Sequence, residues 1–101
     1  MPIEFVENGT TLIVKPEGFL NTDTAPEVEE QMHPLLDGMT EVVFDLEKVT
    51  YVSSAGLRLM LATEQAVSQN GGSARLIHVN GQIRDILDMT GFLDMIPVDS
   101  D

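Results

Sequence analysis

The run Glu41-Val42-Val43-Phe44-Asp45-Leu46 constrains the fold more than any other stretch of the chain. It is short, β-branched and nearly continuous in apolar residues, the pattern of a strand buried on both faces. Such strands belong to sheets with parallel neighbours and helices packed on them. The residues that follow keep to that plan. After the β-rich Val49-Thr50-Tyr51-Val52, residues Leu57, Met60, Leu61 and Val67 recur at helical spacing until Asn70-Gly71-Gly72 stops them. Ala74 to Val79 reads as another strand. Asn80 can cap a short helix carrying Ile83, Ile86 and Leu87 and closed at Gly91. The apolar tail from Phe92 holds a last short strand, Met95 to Val98.

The first forty residues add a hairpin and a helix. Ile3 to Glu7 and Thr10 to Lys15 flank Asn8-Gly9, a strong hairpin signal, and Pro16 stops the second run. Gly18 to Asp23 reads as a connector. Thr24 is a candidate helix cap, with Pro26 in the first turn and Glu27 at the third helical position, able to reach back to the cap. Val28, Met32, Leu35 and Leu36 continue at helical spacing, and Pro34 predicts a bend before the helix ends near Asp37-Gly38. The predicted order is β-β-α-β-α-β-α-β. Strands alternating with helices imply an α/β fold, a mixed β-sheet with helices packed on it.

Composition excludes several function classes. With 101 residues the chain reads as a single domain, residues 1–101. Seventeen acidic against five basic side chains give a formal charge of −12, which repels phosphate backbones and anionic lipid. Neither nucleic acid nor membrane is an expected partner, and self-repulsion favours a monomer. The absence of cysteine removes disulfides and thiol chemistry. His33 and His78 are far apart and form no metal-ligand spacing, so no metal is expected. No run of about 20 apolar residues is present. Met1-Pro2-Ile3-Glu4 lacks a signal-peptide pattern, which points to a soluble, cytoplasmic location. No phosphate loop, dinucleotide fingerprint or serine elbow occurs, and no nucleophile has a visible base. The expectation is no enzyme, no catalytic residue and no cofactor.

Val49-Thr50-Tyr51-Val52-Ser53-Ser54-Ala55-Gly56-Leu57 stands out. Two adjacent hydroxyls fall where a β-rich run meets an amphipathic helix. One of them can serve as the N-cap, worth about 1 kcal/mol. The same place suits a phosphoryl group, because a helix N-terminus offers unpaired N–H groups and the positive end of the macrodipole. Ala55 and Gly56 are small enough to let another protein's active site approach.

The residues from Val43 to Leu57 resemble the strand, loop and phosphorylation-site helix of STAS domains of the anti-sigma factor antagonist type. Gly18 to Pro26 is similar to the family's early loop, Gly71-Gly72 to the break after the helix, and Ile83 to Phe92 to the C-terminal helix with its Thr-Gly turn. The resemblance covers nearly the whole chain. It implies a STAS fold and a partner-switching regulator of transcription rather than a catalyst. The implied partners are an anti-sigma factor with serine kinase activity and a metal-dependent serine phosphatase. The unphosphorylated protein binds the kinase and is released when one serine is phosphorylated. That serine corresponds to Ser54, with Ser53 as runner-up. Asn21, Thr22, Asp23, Ser53, Ala55, Gly56 and Arg58 are the implied partner contacts. Ser53 and Asn21 stand where the family often has Asp, and Arg58 stands where a small residue is common. The alternatives are a STAS scaffold, as in lipid-transport complexes, that works without phosphorylation, a switch controlling a secretion or phosphatase output, and a small-molecule sensor.

Overall fold

Alternating burial and a tight turn set the first two strands. A computed structural model describes residues 2–99. In β2 (Thr11–Pro16), buried Leu12, Val14 and Pro16 alternate with half-buried neighbours, as in a strand with one face on a core. β2 pairs antiparallel with β1 (Ile3–Asn8), from Ile3 opposite Pro16 to Asn8 opposite Thr11. Gly9 follows Asn8 with φ +64°, the left-handed conformation that such tight hairpins require.

β4 (Glu41–Asp45) lies between β2 and β6 (Ser73–Ile77) and is parallel to both, giving the sheet order β1-β2-β4-β6. This central position explains the apolar run, since Val42 through Leu46 are all buried. Val42, Phe44, Leu12, Val14, Ala74 and Leu76 join one core with residues of all three helices.

The helices are α1 (Ala25–Met32), α2 (Ser54–Gln69) and α3 (Gly81–Met89). α1 gives way to a 3₁₀ turn over His33–Leu35, where Pro34 cannot donate a backbone bond. α2 ends at Asn70, where Gly71 N–H reaches Ser68 O and Gly72 N–H reaches Val67 O, so two terminal carbonyls are satisfied. The Asn80 side chain caps α3 by accepting from Ile83 N–H at 2.9 Å.

Three local expectations need correction. The connector Gly18–Asp23 contains a strand, β3 (Gly18–Leu20), which pairs in parallel with β5 (Val49–Val52) as a separate two-stranded sheet. A three-residue strand is too short to display an alternation. The final strand over Met95–Val98 reduces to one parallel bridge between Val98 and Leu76, after a 3₁₀ turn at Phe92–Asp94. Thr24 does not cap α1 with its side chain. Its backbone is already helical and its hydroxyl is committed elsewhere, donating to Phe19 O at 2.7 Å and accepting from Asn21 N–H at 2.9 Å.

Candidate functional site

The two-stranded sheet positions the site. β3 leads into the Asn21–Thr24 turn and then α1, and β5 leads through Ser53 into α2. Parallel pairing sets Phe19 opposite Tyr51 and Leu20 opposite Val52, so both helix N-termini emerge at the same end. Ser53 N–H donates to Leu20 O at 2.9 Å and ties the two helix starts together. The positive ends of two helix dipoles thus stand close together on a chain of net charge −12.

Each start has its own local chemistry. The Asn21 side-chain oxygen accepts from Asp23 N–H at 3.0 Å and Thr24 N–H at 3.2 Å, and its backbone carbonyl accepts from Ala25 N–H at 2.8 Å. Asn21 therefore shapes the turn before α1, while the cap expected of the Thr24 side chain is not made. Ser53 is extended, with φ −92° and ψ 177°, and its Oγ accepts from Ala55 N–H at 3.2 Å. Ser53 is the N-cap of α2. Ser54 is the first helical residue and is exposed, and its hydroxyl has no hydrogen-bond partner among the described residues. The two adjacent hydroxyls are therefore in different states, one bonded to the backbone and one facing solvent.

The other sequence-selected residues separate into two groups. Thr22, Asp23 and Arg58 are exposed and Ala55 is half-buried. Arg58 lies four positions after Ser54, one helical turn along the same face. It makes no ion pair among the described residues. Thr22, Ala25, Pro26, Ala55, Arg58 and Leu59 line an open groove of about 630 Å³ between α1 and α2. Gly56 is different, being buried rather than open to an approaching protein. A Cβ there would stand 2.7 Å from Leu20 O and 2.9 Å from Leu20 Cγ. Its small size lets α2 approach β3.

Two features were not read from the sequence. Phe19 and Tyr51 project from the two-stranded sheet 59% and 45% exposed, with ring centroids 6.3 Å apart in an edge-to-face arrangement. The other feature is a clasp at the C-terminal ends of β4 and β6. The buried Asp45 carboxylate accepts from Glu47 N–H at 3.1 Å and lies 2.9 Å from His78 Nδ1. His78 holds this place with φ 55°, an uncommon value for a side chain with a Cβ. Asp45, Glu47 and His78 bring ligand-type atoms within 4.8 Å of one another and are the one such trio among the described residues. Histidine spacing could not reveal it, because only one histidine takes part. No helix among the described residues is long and apolar enough to cross a membrane.

Comparison with known proteins agrees with this architecture. The STAS domain profile matches residues 2–101. The chain resembles the crystal structure of an anti-sigma factor antagonist from Mycobacterium paratuberculosis, with TM-score 0.86 and 21% identity over 99% of this chain and 86% of that one. It also resembles the Bacillus cell fate determinant SpoIIAA in its phosphorylated form, with TM-score 0.74 and 13% identity over 99% of this chain and 93% of that one. Fold and sequence define the class, and the chain belongs to the STAS domain family. Within that class it is 35% identical over 86 residues to the anti-sigma-B factor antagonist of Staphylococcus aureus, covering 84% of this chain and 80% of that protein. By sequence it groups with the anti-sigma factor antagonists of the STAS type.

Proposed function

We propose that this antagonist is switched by phosphorylation of Ser54. When unmodified it binds an anti-sigma factor that is also a serine kinase, and phosphorylation releases it. A metal-dependent serine phosphatase returns it to the binding form, and the sigma factor freed in each cycle alters transcription. The observation that carries this reading is the contrast between the two serines: Ser53 is spent as the cap of α2, and Ser54 is exposed with an unengaged hydroxyl. The phosphorylated form described for SpoIIAA, a protein of the same fold, supports it.

The energetics favour a local switch. A phosphoserine carries about −1.5 to −2 charges. At the N-terminus of α2 it is stabilised by roughly 0.3–1 kcal/mol in the free protein. In a complex the same group is desolvated against the partner, which costs several kcal/mol unless it is paired. A net loss of about 3 kcal/mol weakens binding roughly 100-fold. No hydrogen bond among the described residues depends on the Ser54 hydroxyl, so the fold has little to rearrange.

The test is incubation with ATP and the kinase-type anti-sigma factor encoded nearest to its gene, followed by phosphosite mapping. Phosphate is expected on Ser54. Ser54→Ala is expected to bind and never be released, and Ser54→Asp to bind about 100-fold more weakly. Phosphate found solely on Ser53, or Ser54→Asp binding as tightly as the parent, would overturn the reading.

A further inference from the structure

The outward face of the β3–β5 sheet has a composition that the Ser54 switch does not use. Side chains alternate across a strand. Leu20 and Val52 point into the core and are fully buried, so Phe19 and Tyr51 point outward. Asn21 and Ser53, both half-buried, come directly after the two strands. The aromatic pair is thus followed, along two adjacent chain segments tied by the Ser53 N–H to Leu20 O bond, by the Asn21 turn and by the Ser53 cap that leads to Ser54.

The pair is also held in advance. The Phe19 carbonyl accepts the Thr24 hydroxyl at 2.7 Å, Gly18 N–H donates to Lys48 O at 2.9 Å, and Ser53 N–H donates to Leu20 O at 2.9 Å. The chain has five aromatic residues, and two of them spend their apolar area here in contact with each other and with water. Aromatic side chains on a fixed backbone lose little freedom on binding and are enriched among the residues that dominate interface energy.

We propose that Phe19 and Tyr51 form the docking anchor for the anti-sigma factor that reads Ser54. This inference rests on the Ser54 reading, because it takes its partner from it. Continuity and size carry the assignment. Three residues of extended chain span about 10 Å, so Tyr51 lies within that distance of Ser54. A standard interface covers about 800 Å² per partner, a disc of roughly 16 Å radius. A partner centred on Ser54 therefore reaches the aromatic pair. The pair is flanked in sequence by exposed Asp23 and by Glu17, which lies 4.0 Å from Lys48, on a chain of charge −12. The complementary surface is an apolar pocket edged with Lys or Arg.

The experiment measures affinity for the kinase-type anti-sigma factor encoded nearest to the gene, using unphosphorylated protein. Phe19→Ala and Tyr51→Ala are each expected to weaken binding about 10–100-fold. Phe19→Tyr and Tyr51→Phe, which keep the rings, are expected to bind within about threefold of the parent. Circular dichroism and melting temperature identify any variant that has lost its fold, and the ring-keeping variants still test the surface if an alanine variant has. If the double variant Phe19→Ala/Tyr51→Ala binds like the parent while Ser54→Asp is released, the anchor is wrong and the switch stands. If the parent itself does not bind, both fail. A dimer of the parent that the double variant dissolves in sedimentation would assign the face to self-assembly and overturn the proposal.

Discussion

Gly56→Ala tests the contact that sets the start of α2. An added Cβ would meet Leu20 O at 2.7 Å, Leu20 Cγ at 2.9 Å and Val52 Cγ1 at 3.0 Å. Its nearest neighbour is a backbone carbonyl that already accepts Ser53 N–H, so it cannot yield as the tip of a flexible side chain would. Overpacking of this kind costs about 1–3 kcal/mol. Replacing glycine by alanine in a helix returns up to about 1 kcal/mol. The expected net loss is about 1–2 kcal/mol, which for a domain of this size lowers Tm by roughly 4–16 °C. Gly81→Ala is the matched comparison. It also lies in the first turn of a helix, but no atom stands within 4 Å of its Cβ, so the helix gain is unopposed. Thermal and urea unfolding of the two variants should therefore move in opposite directions. A Gly56→Ala protein as stable as the parent would refute the argument that close approach, rather than access for a partner, explains this glycine.

Two further outcomes follow from the start of α2. Ser53→Ala removes the bond to Ala55 N–H and should cost about 1 kcal/mol in urea unfolding, while Ser53→Asp, which can still cap, should cost less than half of that; equal losses would argue against a capping role. Arg58 stands one helical turn beyond Ser54, so Arg58→Gln should raise the pH at which a Ser54 phosphate passes from dianion to monoanion, read by phosphorus NMR; an unchanged midpoint would mean that the guanidinium does not face the phosphate.

Sequence patterns reached those parts of the molecule whose signals are local. The Asn8-Gly9 hairpin, the buried run of β4, the cap at Asn80 and a capping serine at the start of α2 each rest on a few adjacent residues with a clear physical preference. What escaped notice depends on partners distant in sequence. Gly18-Phe19-Leu20 becomes a strand only because Val49–Val52 lies beside it, and three residues carry no periodicity of their own. The clasp between Asp45 and His78 joins positions 33 residues apart, and neither residue type announces the other. The cap expected of Thr24 is not made because its hydroxyl donates to the Phe19 carbonyl, an acceptor that only the β3 backbone brings within reach. At the site, the serine pair was legible as a helix start. Which serine is bonded and which is exposed was not, because that follows from the backbone direction at the end of β5. The aromatic anchor was equally hidden, since an outward Phe looks like a core Phe until its strand has a register.

The short parallel pair has a consequence for chemical selection. Ser53 and Ser54 are identical groups on adjacent residues, and nothing intrinsic to either one makes it the reachable hydroxyl. The difference comes from phase. β5 ends at buried Val52, so Ser53 falls at the N-cap and bonds back to the helix, and Ser54 falls in the first turn and faces solvent. A slip of one residue in β5 would put Ser54 at the cap or Ser53 in the first turn without altering an atom of either side chain. A buried aliphatic residue, with no reactivity of its own, thus decides which oxygen is presented to solvent.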